Sequence, residues 1–151
     1  MKQTVPNFRL DGKRALVTGA GRGIGLAIAR SYAESGAHVT LCARSEHEIA
    51  SVADDLREQG YLADILSLDV TDVRSTEAAL DDMSSFDVFV NNAGMNRPKP
   101  LLEVTEEDYD AVMGLNLRAA MFAARAVAKG MIAAGRGGTP HHLSSGNFDI
   151  C

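Results

Sequence analysis

The stretch Thr18-Gly19-Ala20-Gly21-Arg22-Gly23-Ile24-Gly25 governs the reading of this chain. It joins a short apolar run, Arg14 to Thr18, to a segment rich in Ala, Ile and Leu that stops at Gly36. The apolar run closing on glycine reads as a buried strand, and Gly25 to Ser35 reads as a helix ended by glycine. The glycines at 19, 23 and 25 have separate tasks. One permits a tight turn, one lets the backbone approach a pyrophosphate, and one allows close helix–strand packing. Exposed N–H groups and the helix dipole favour an anion at such a turn. The spacing is G-x-x-x-G-x-G, with Ile24 between the last two glycines. An ordinary tight turn is the bland alternative, and the placement after a strand and before a helix counts against it.

The strand–helix pattern continues along the chain. His38 to Ala43 is a second strand. Ser45 opens a helix, with Glu48 three residues on as a capping box, and the helix runs to about Gln59 before Gly60. Ala63 to Asp69 is a third strand, followed by an amphipathic helix from about Asp72 to Met83. Asp87 to Asn91 is a fourth, very apolar strand, and Ala93 to Pro100 is a loop. Thr105 with Asp108 signals the cap of a long helix reaching about Ala134. Its apolar stripe is Tyr109, Val112, Met113, Leu117, Ala120, Met121, Ala124 and Met131. Such alternation predicts an α/β fold: a doubly wound parallel sheet with helices on both faces and right-handed crossovers. Ligands of such sheets sit beyond the carboxyl ends of the strands, at the topological switch point. The glycine turn, Asp69–Val70 and Asn91–Gly94 each fall at such an end.

Composition narrows the function classes. The chain has 151 residues, 46% hydrophobic and 23% charged, which fits one soluble globular domain rather than a disordered or fibrous chain. Charged residues and glycines interrupt every apolar run, so no membrane-spanning segment is expected, and Met1 to Asp11 lacks the apolar centre of a secretory signal. A net charge of -5 argues against a general nucleic-acid binder. Cys42 and Cys151 are far apart and form no metal motif, which suits a reduced cytoplasmic setting. His141-His142 would point to opposite faces of a strand and make a poor metal pair.

The strand ends specify a ligand. An acid at the end of the second strand would bind the ribose 2′-hydroxyl of NAD, but that end reads Cys42-Ala43-Arg44. Arg44 can pair with a 2′-phosphate, and Arg22 can reach the same group from the glycine turn, because a guanidinium donates in a planar fork. Charge therefore favours NADP over NAD; the alternative is that both arginines are solvated surface charges. Asp69 can accept from an adenine amino group while the Val70 backbone serves the ring, or Asp69 can instead cap the next helix. In Asn91-Asn92-Ala93-Gly94 the Asn side chains can bridge neighbouring strand ends, and Ala-Gly leaves space for a ribose; a plain Asn-rich turn is the alternative. Asn116 falls on the apolar stripe of the long helix, where a polar side chain must find partners. It can do so by bonding backbone and bending the helix.

Taken together, T-G-A-G-R-G-I-G at 18–25, D-V at 69–70, N-N-A-G at 91–94, Asn116 and the lead-in Leu10-Asp11-Gly12-Lys13 resemble the short-chain dehydrogenase/reductase family. The likeness covers about residues 8 to 138. It implies a Rossmann-type domain and an NAD(P)-dependent oxidoreductase that moves a hydride between the nicotinamide and a small carbonyl or secondary alcohol. It implies that Gly19, Arg22, Gly23, Ile24, Gly25, Arg44, Asp69, Val70, Asn91, Ala93 and Gly94 line the cofactor. Asn116 would hold a water in a proton relay, and Ser145, in Leu143-Ser144-Ser145 of an expected fifth strand, would polarise the substrate oxygen. A turn serine is the alternative for Ser145.

The family pattern then breaks. Its general acid or base is a Tyr with Lys four residues later, the cation bringing the phenol nearer the working pH. Tyr32, Tyr61 and Tyr109 are the tyrosines of this chain, and none has Lys four residues on. Pro140 stands where a central strand would need an N–H. The expectation is therefore a single, incomplete dinucleotide-binding domain over 1–151, truncated after about the fifth strand, with an atypical tail at 139–151. Such a chain would be a fragment, a frameshifted reading or an alternative product. Its other reading is a nucleotide-binding or interaction module without turnover. The resemblance also allows a homo-oligomer, although the helices that commonly form the family's oligomer contacts belong to the missing half.

Overall fold

Arg14–Thr18 (β1) and His38–Ala43 (β2) are strands with the expected bounds, and β1 is the middle of a parallel sheet. The computed structural model describes residues 8–135 and 139–142. In those residues the sheet also contains Ala63–Ser67 (β3), Val88–Asn91 (β4) and Thr139–His142 (β5), in the order β3-β2-β1-β4-β5. β3 is two residues shorter than expected. Its pairing ends at Ser67 opposite Ala43, where β2 itself ends.

Strand periodicity divides the core between two faces. Ala15, Val17, Val39, Leu41 and Val90 point to one side, against helices Gly23–Glu34 (α1) and Glu46–Glu58 (α2). Leu16, Cys42 and Phe89 point to the other, against Val73–Asp81 (α3) and Ala120–Ala133 (α5). The chain runs outward from β1 to β2 and β3, then returns to place β4 on the opposite flank of β1. That reversal is the topological switch point, and it lies between the carboxyl ends of β1 and β4.

Three expectations about elements need correction. The helix after Thr105 is not uniform: Glu106–Met113 (α4) passes through a π-helical stretch, Gly114–Ala119, into α5. A π stretch rotates everything beyond it, so the 3.6-residue stripe drawn straight through from Tyr109 misplaces part of the buried face. Ala120 and Met131 of the stripe are buried, but Leu117 and Met121 are exposed, and Ala119, Ala123, Ala126 and Val127, outside the stripe, are buried. Second, Glu106–Ala133 as one run is long and apolar enough, by length and composition, to cross a membrane, contrary to the reading of the sequence. Its alanine-rich face packs on α3 and β4, and a core helix can pass the same test. Third, Pro140 lies within β5, paired opposite Phe89. As the last strand of the described sheet β5 has one neighbour, and an edge position tolerates a residue without an N–H. The expected fifth strand at Leu143–Ser145 lies outside the described residues, as does Ser145 itself.

Candidate active site

The helix that follows the glycine turn begins without a cap. Ser45, Asp72 and Thr105 each accept a backbone N–H at the start of α2, α3 and α4. Arg22, at the same position of α1, makes no side-chain cap, and the first turn carries no acid. A helix start leaves its first N–H groups without partners, and those of α1 remain available to an anion.

The glycines shape that opening. Gly19 has φ +65°, and a Cβ there would stand 2.9 Å from Asn92 Nδ2 and 3.1 Å from Ala93 Cα. Gly25 presses on the Gly19 carbonyl and on Asn92, so any side chain would drive α1 off the sheet. Gly23 also has positive φ, +58°, but faces open space, which leaves room for a ligand against the backbone. Ile24, beside it, is 68% exposed.

The turn is locked to the end of β4 by two side chains. The Thr18 hydroxyl, 2% exposed, donates to the Val90 carbonyl at 3.4 Å and accepts from the Asn92 and Ala93 amides at 3.0 Å each. Asn92 Nδ2 donates back to the Thr18 carbonyl at 3.0 Å and to that of Gly19 at 3.3 Å. Asn92 thus bridges neighbouring strand ends, as the sequence suggested for this motif. Asn91 does not: it is buried, and its amide donates to the Ala120 carbonyl at 2.8 Å, beside the π stretch. Thr18 was missed by sequence reasoning. A Thr ending a strand is unremarkable until its partners, more than seventy residues away, are seen.

Asn116 sits in the π stretch. Its Oδ1 accepts from the Met95 amide and its Nδ2 donates to the Met95 carbonyl, both at 2.8 Å. The helix Asn therefore bonds backbone, that of the loop carrying Ala93 and Gly94. The far part of the same loop is held by Asp108. This buried carboxylate accepts from Lys99 Nζ at 2.6 Å, from the Thr105 amide at 3.1 Å and from its hydroxyl at 2.8 Å. Arg97 lies at 3.4 Å. The lysine and the threonine groups hold the Asp108 carboxyl well below the usual carboxylate range.

Two expected caps behave otherwise. Asp69 does not cap α3; Asp72 does, accepting from the Ser75 amide at 3.1 Å. Asp69 Oδ1 instead accepts from the Thr71 hydroxyl at 2.7 Å and its amide at 3.0 Å. Partial burial works to raise the Asp69 carboxyl, but the Thr71 bonds and the Arg44 charge outweigh it and leave it below its ordinary value. Val70, next in the chain, is buried in the second core face. Ser45 does cap α2, at 3.4 Å from the Glu48 amide, but Glu48 does not complete a capping box. Its carboxylate lies against Gly21 instead.

The fold thus gathers the glycine turn, Arg44, Asp69–Val70, Asn91–Gly94 and Asn116 at one edge of the sheet, above the strand carboxyl ends. Cys42 stands beneath it, buried, its thiol pushed up to about 12 by burial. A shallow acidic hollow of about 500 Å³ on the outer face of α2, lined by His47, Asp54, Asp55 and Glu58, is a separate feature. Two of its carboxylates are paired, Asp55 with Arg30 and Asp54 with Arg57.

Residues 13–141 match the family model of the short chain dehydrogenase. A gluconate 5-dehydrogenase of Gluconobacter oxydans is 42% identical over 134 residues, 86% of this chain and 52% of that protein. The crystal structure of a gluconate 5-dehydrogenase from Burkholderia cenocepacia in complex with NADP and tartrate superposes with a TM-score of 0.84 at 41% identity. It is matched over 90% of this chain and 55% of that one. The L-sorbose reductase of Gluconobacter frateurii, complexed with NADPH and L-sorbose, has a TM-score of 0.83 at 32% identity, covering 91% of this chain and 54% of that one. The chain spans about half the length of the curated relatives it matches.

Proposed function

The chain belongs to the short-chain dehydrogenase family, and on that premise we propose that it forms the cofactor-binding domain of an NADP-preferring oxidoreductase. The single observation that carries this reading is the uncapped start of α1 behind an open Gly23, at the switch point of the sheet. The N–H groups of that start would hold the pyrophosphate. Arg44 and Arg22 would hold the 2′-phosphate, Asp69 and Val70 the adenine, and Ala93 and Gly94 the ribose wall. Asn91 contributes through its backbone, its side chain being engaged with Ala120. Ile24 would cover the pyrophosphate face. That two similar structures are complexed with NADP or NADPH supports the choice of dinucleotide.

The nicotinamide, when bound, supplies a hydride to or from a carbonyl or alcohol carbon. The chain's own part is to position. Asn116, by clamping Met95, fixes the loop beside the ribose. Its amide keeps one N–H and one lone pair for the water of a proton relay. Ser145 remains the candidate for polarising the substrate oxygen. Gluconate and L-sorbose in the names of similar proteins favour a small polyhydroxylated substrate. No Tyr of this sequence has Lys four residues on, so on this reading the 151 residues bind cofactor and do not turn it over. On this reading 1–151 is one such domain, in a cytoplasmic setting.

Calorimetric titration of the chain with NADPH and NADH tests the proposal. Saturable binding, tighter for NADPH and weakened at least several-fold in Arg44→Ala, is expected. Equal or tighter binding of NADH, or an Arg44→Ala variant with full NADPH affinity, would overturn the assignment. Turnover of NADPH with a panel of ketoses would contradict the binding-only reading of this chain.

A further inference from the structure

Glu48 occupies a place that its sequence position does not explain. It is the third residue of α2 and should turn back to its own Ser45 amide, yet that bond is not made. Its side chain lies flat on the glycine turn instead. A Cβ added at Gly21 would stand 2.8 Å from Glu48 Oε2 and 3.2 Å from Glu48 Cβ. Gly21 precedes Arg22, and Arg44 precedes the Ser45 cap of the same helix. Neither arginine forms an ion pair among the described residues. The charge of Arg44 also acts on Asp69, so two cations and the Glu48 carboxylate, none in an ion pair among the described residues, stand on the turn and on the segment that follows β2.

Taking as its basis the dinucleotide reading above, the geometry points to Glu48 as a specificity-determining residue that works against the 2′-phosphate. A 2′-phosphate carries about -1.5 to -2 charges at neutral pH, so a carboxylate beside its site repels it. A 2′-hydroxyl carries none and can donate a hydrogen bond to the same carboxylate. Glu48 thus holds the preference for NADP below the level that Arg22 and Arg44 would give alone, and it offers NAD the acceptor that the end of β2 lacks. Gly21 is part of the device, because any side chain there displaces the carboxylate. Its φ is not in the left-handed region, so Gly21→Ala is a steric change rather than a backbone one.

The test uses the full chain with 2′,5′-ADP and 5′-AMP, which differ at the group in question. Glu48→Gln is isosteric and exposed, so folding is not at stake. It should bind 2′,5′-ADP about two- to fivefold more tightly at low salt, as expected for removal of one solvated like charge. Binding of 5′-AMP should be unchanged or weaker. The gain should shrink in 0.5 M salt, where the Debye length falls below its value of about 10 Å at 0.1 M. Gly21→Ala should move the ratio of the two affinities in the same direction. An unaltered ratio in Glu48→Gln, with both probes bound by the parent chain, would overturn this inference and leave the dinucleotide reading standing. Failure of the parent chain to bind either probe would overturn both.

Discussion

Thr18 shows how much a single hydroxyl can hold. Its oxygen serves two amides and a carbonyl across the switch point, and it is 2% exposed. Thr18→Val keeps the shape and removes the bonds, leaving two partly buried amides unpaired. That costs about 1–3 kcal/mol, which urea denaturation would read directly. A variant as stable as the parent would show that water replaces the hydroxyl. Cys42 makes a prediction of the opposite kind. Burial pushes its thiol up to about 12, so the reactive thiolate is suppressed at neutral pH. Alkylation followed by peptide mass spectrometry should find Cys42 unmodified in the native chain and modified in denaturant. The glycine turn was legible in the sequence because its chemistry is local. Thr18, Asn92 and Glu48 were not fully so, since their partners are set by which strand ends meet.

At the level of elements, the β4–α4 connection carries the most information. Asn116 and Asp108 pin the two parts of the loop between them. The Asp108 carboxyl is held low in the folded chain, so it binds its proton less readily there than when unfolded. Its stabilising contribution is complete above the ordinary carboxylate value near 4 and is lost as pH falls below it. Asp108→Asn should therefore be less stable than the parent at pH 7, and the gap should narrow at pH 3. A gap independent of pH would mean the charge is not what matters. The capping signal at Thr105 was plain in sequence, and the full reciprocal box is present. The π stretch was not, because its extra residue per turn is invisible to a count of apolar spacings. The same blind spot misplaced part of the buried face of α5.

Across the whole molecule, the two cores are separated by the sheet and each depends on the strands between them. Phe89, fully buried in β4, is the largest of those side chains. Phe89→Ala should cost about 3–5 kcal/mol and unfold the second core with the site above it, as thermal denaturation would show. The doubly wound parallel sheet was legible because alternation of strand and helix admits few topologies. The pairing of Thr139–His142 was not, since Pro140 argued against a strand there, yet among the described residues β5 pairs only with β4. Binding of a nicotinamide dinucleotide at the switch point is tested most directly by amide chemical-shift mapping during titration with NADPH. Saturable shifts concentrated at residues 18–25, 44–45, 69–70 and 91–95 are expected. Shifts absent at saturating NADPH, or confined to the acidic outer face of α2, would contradict it.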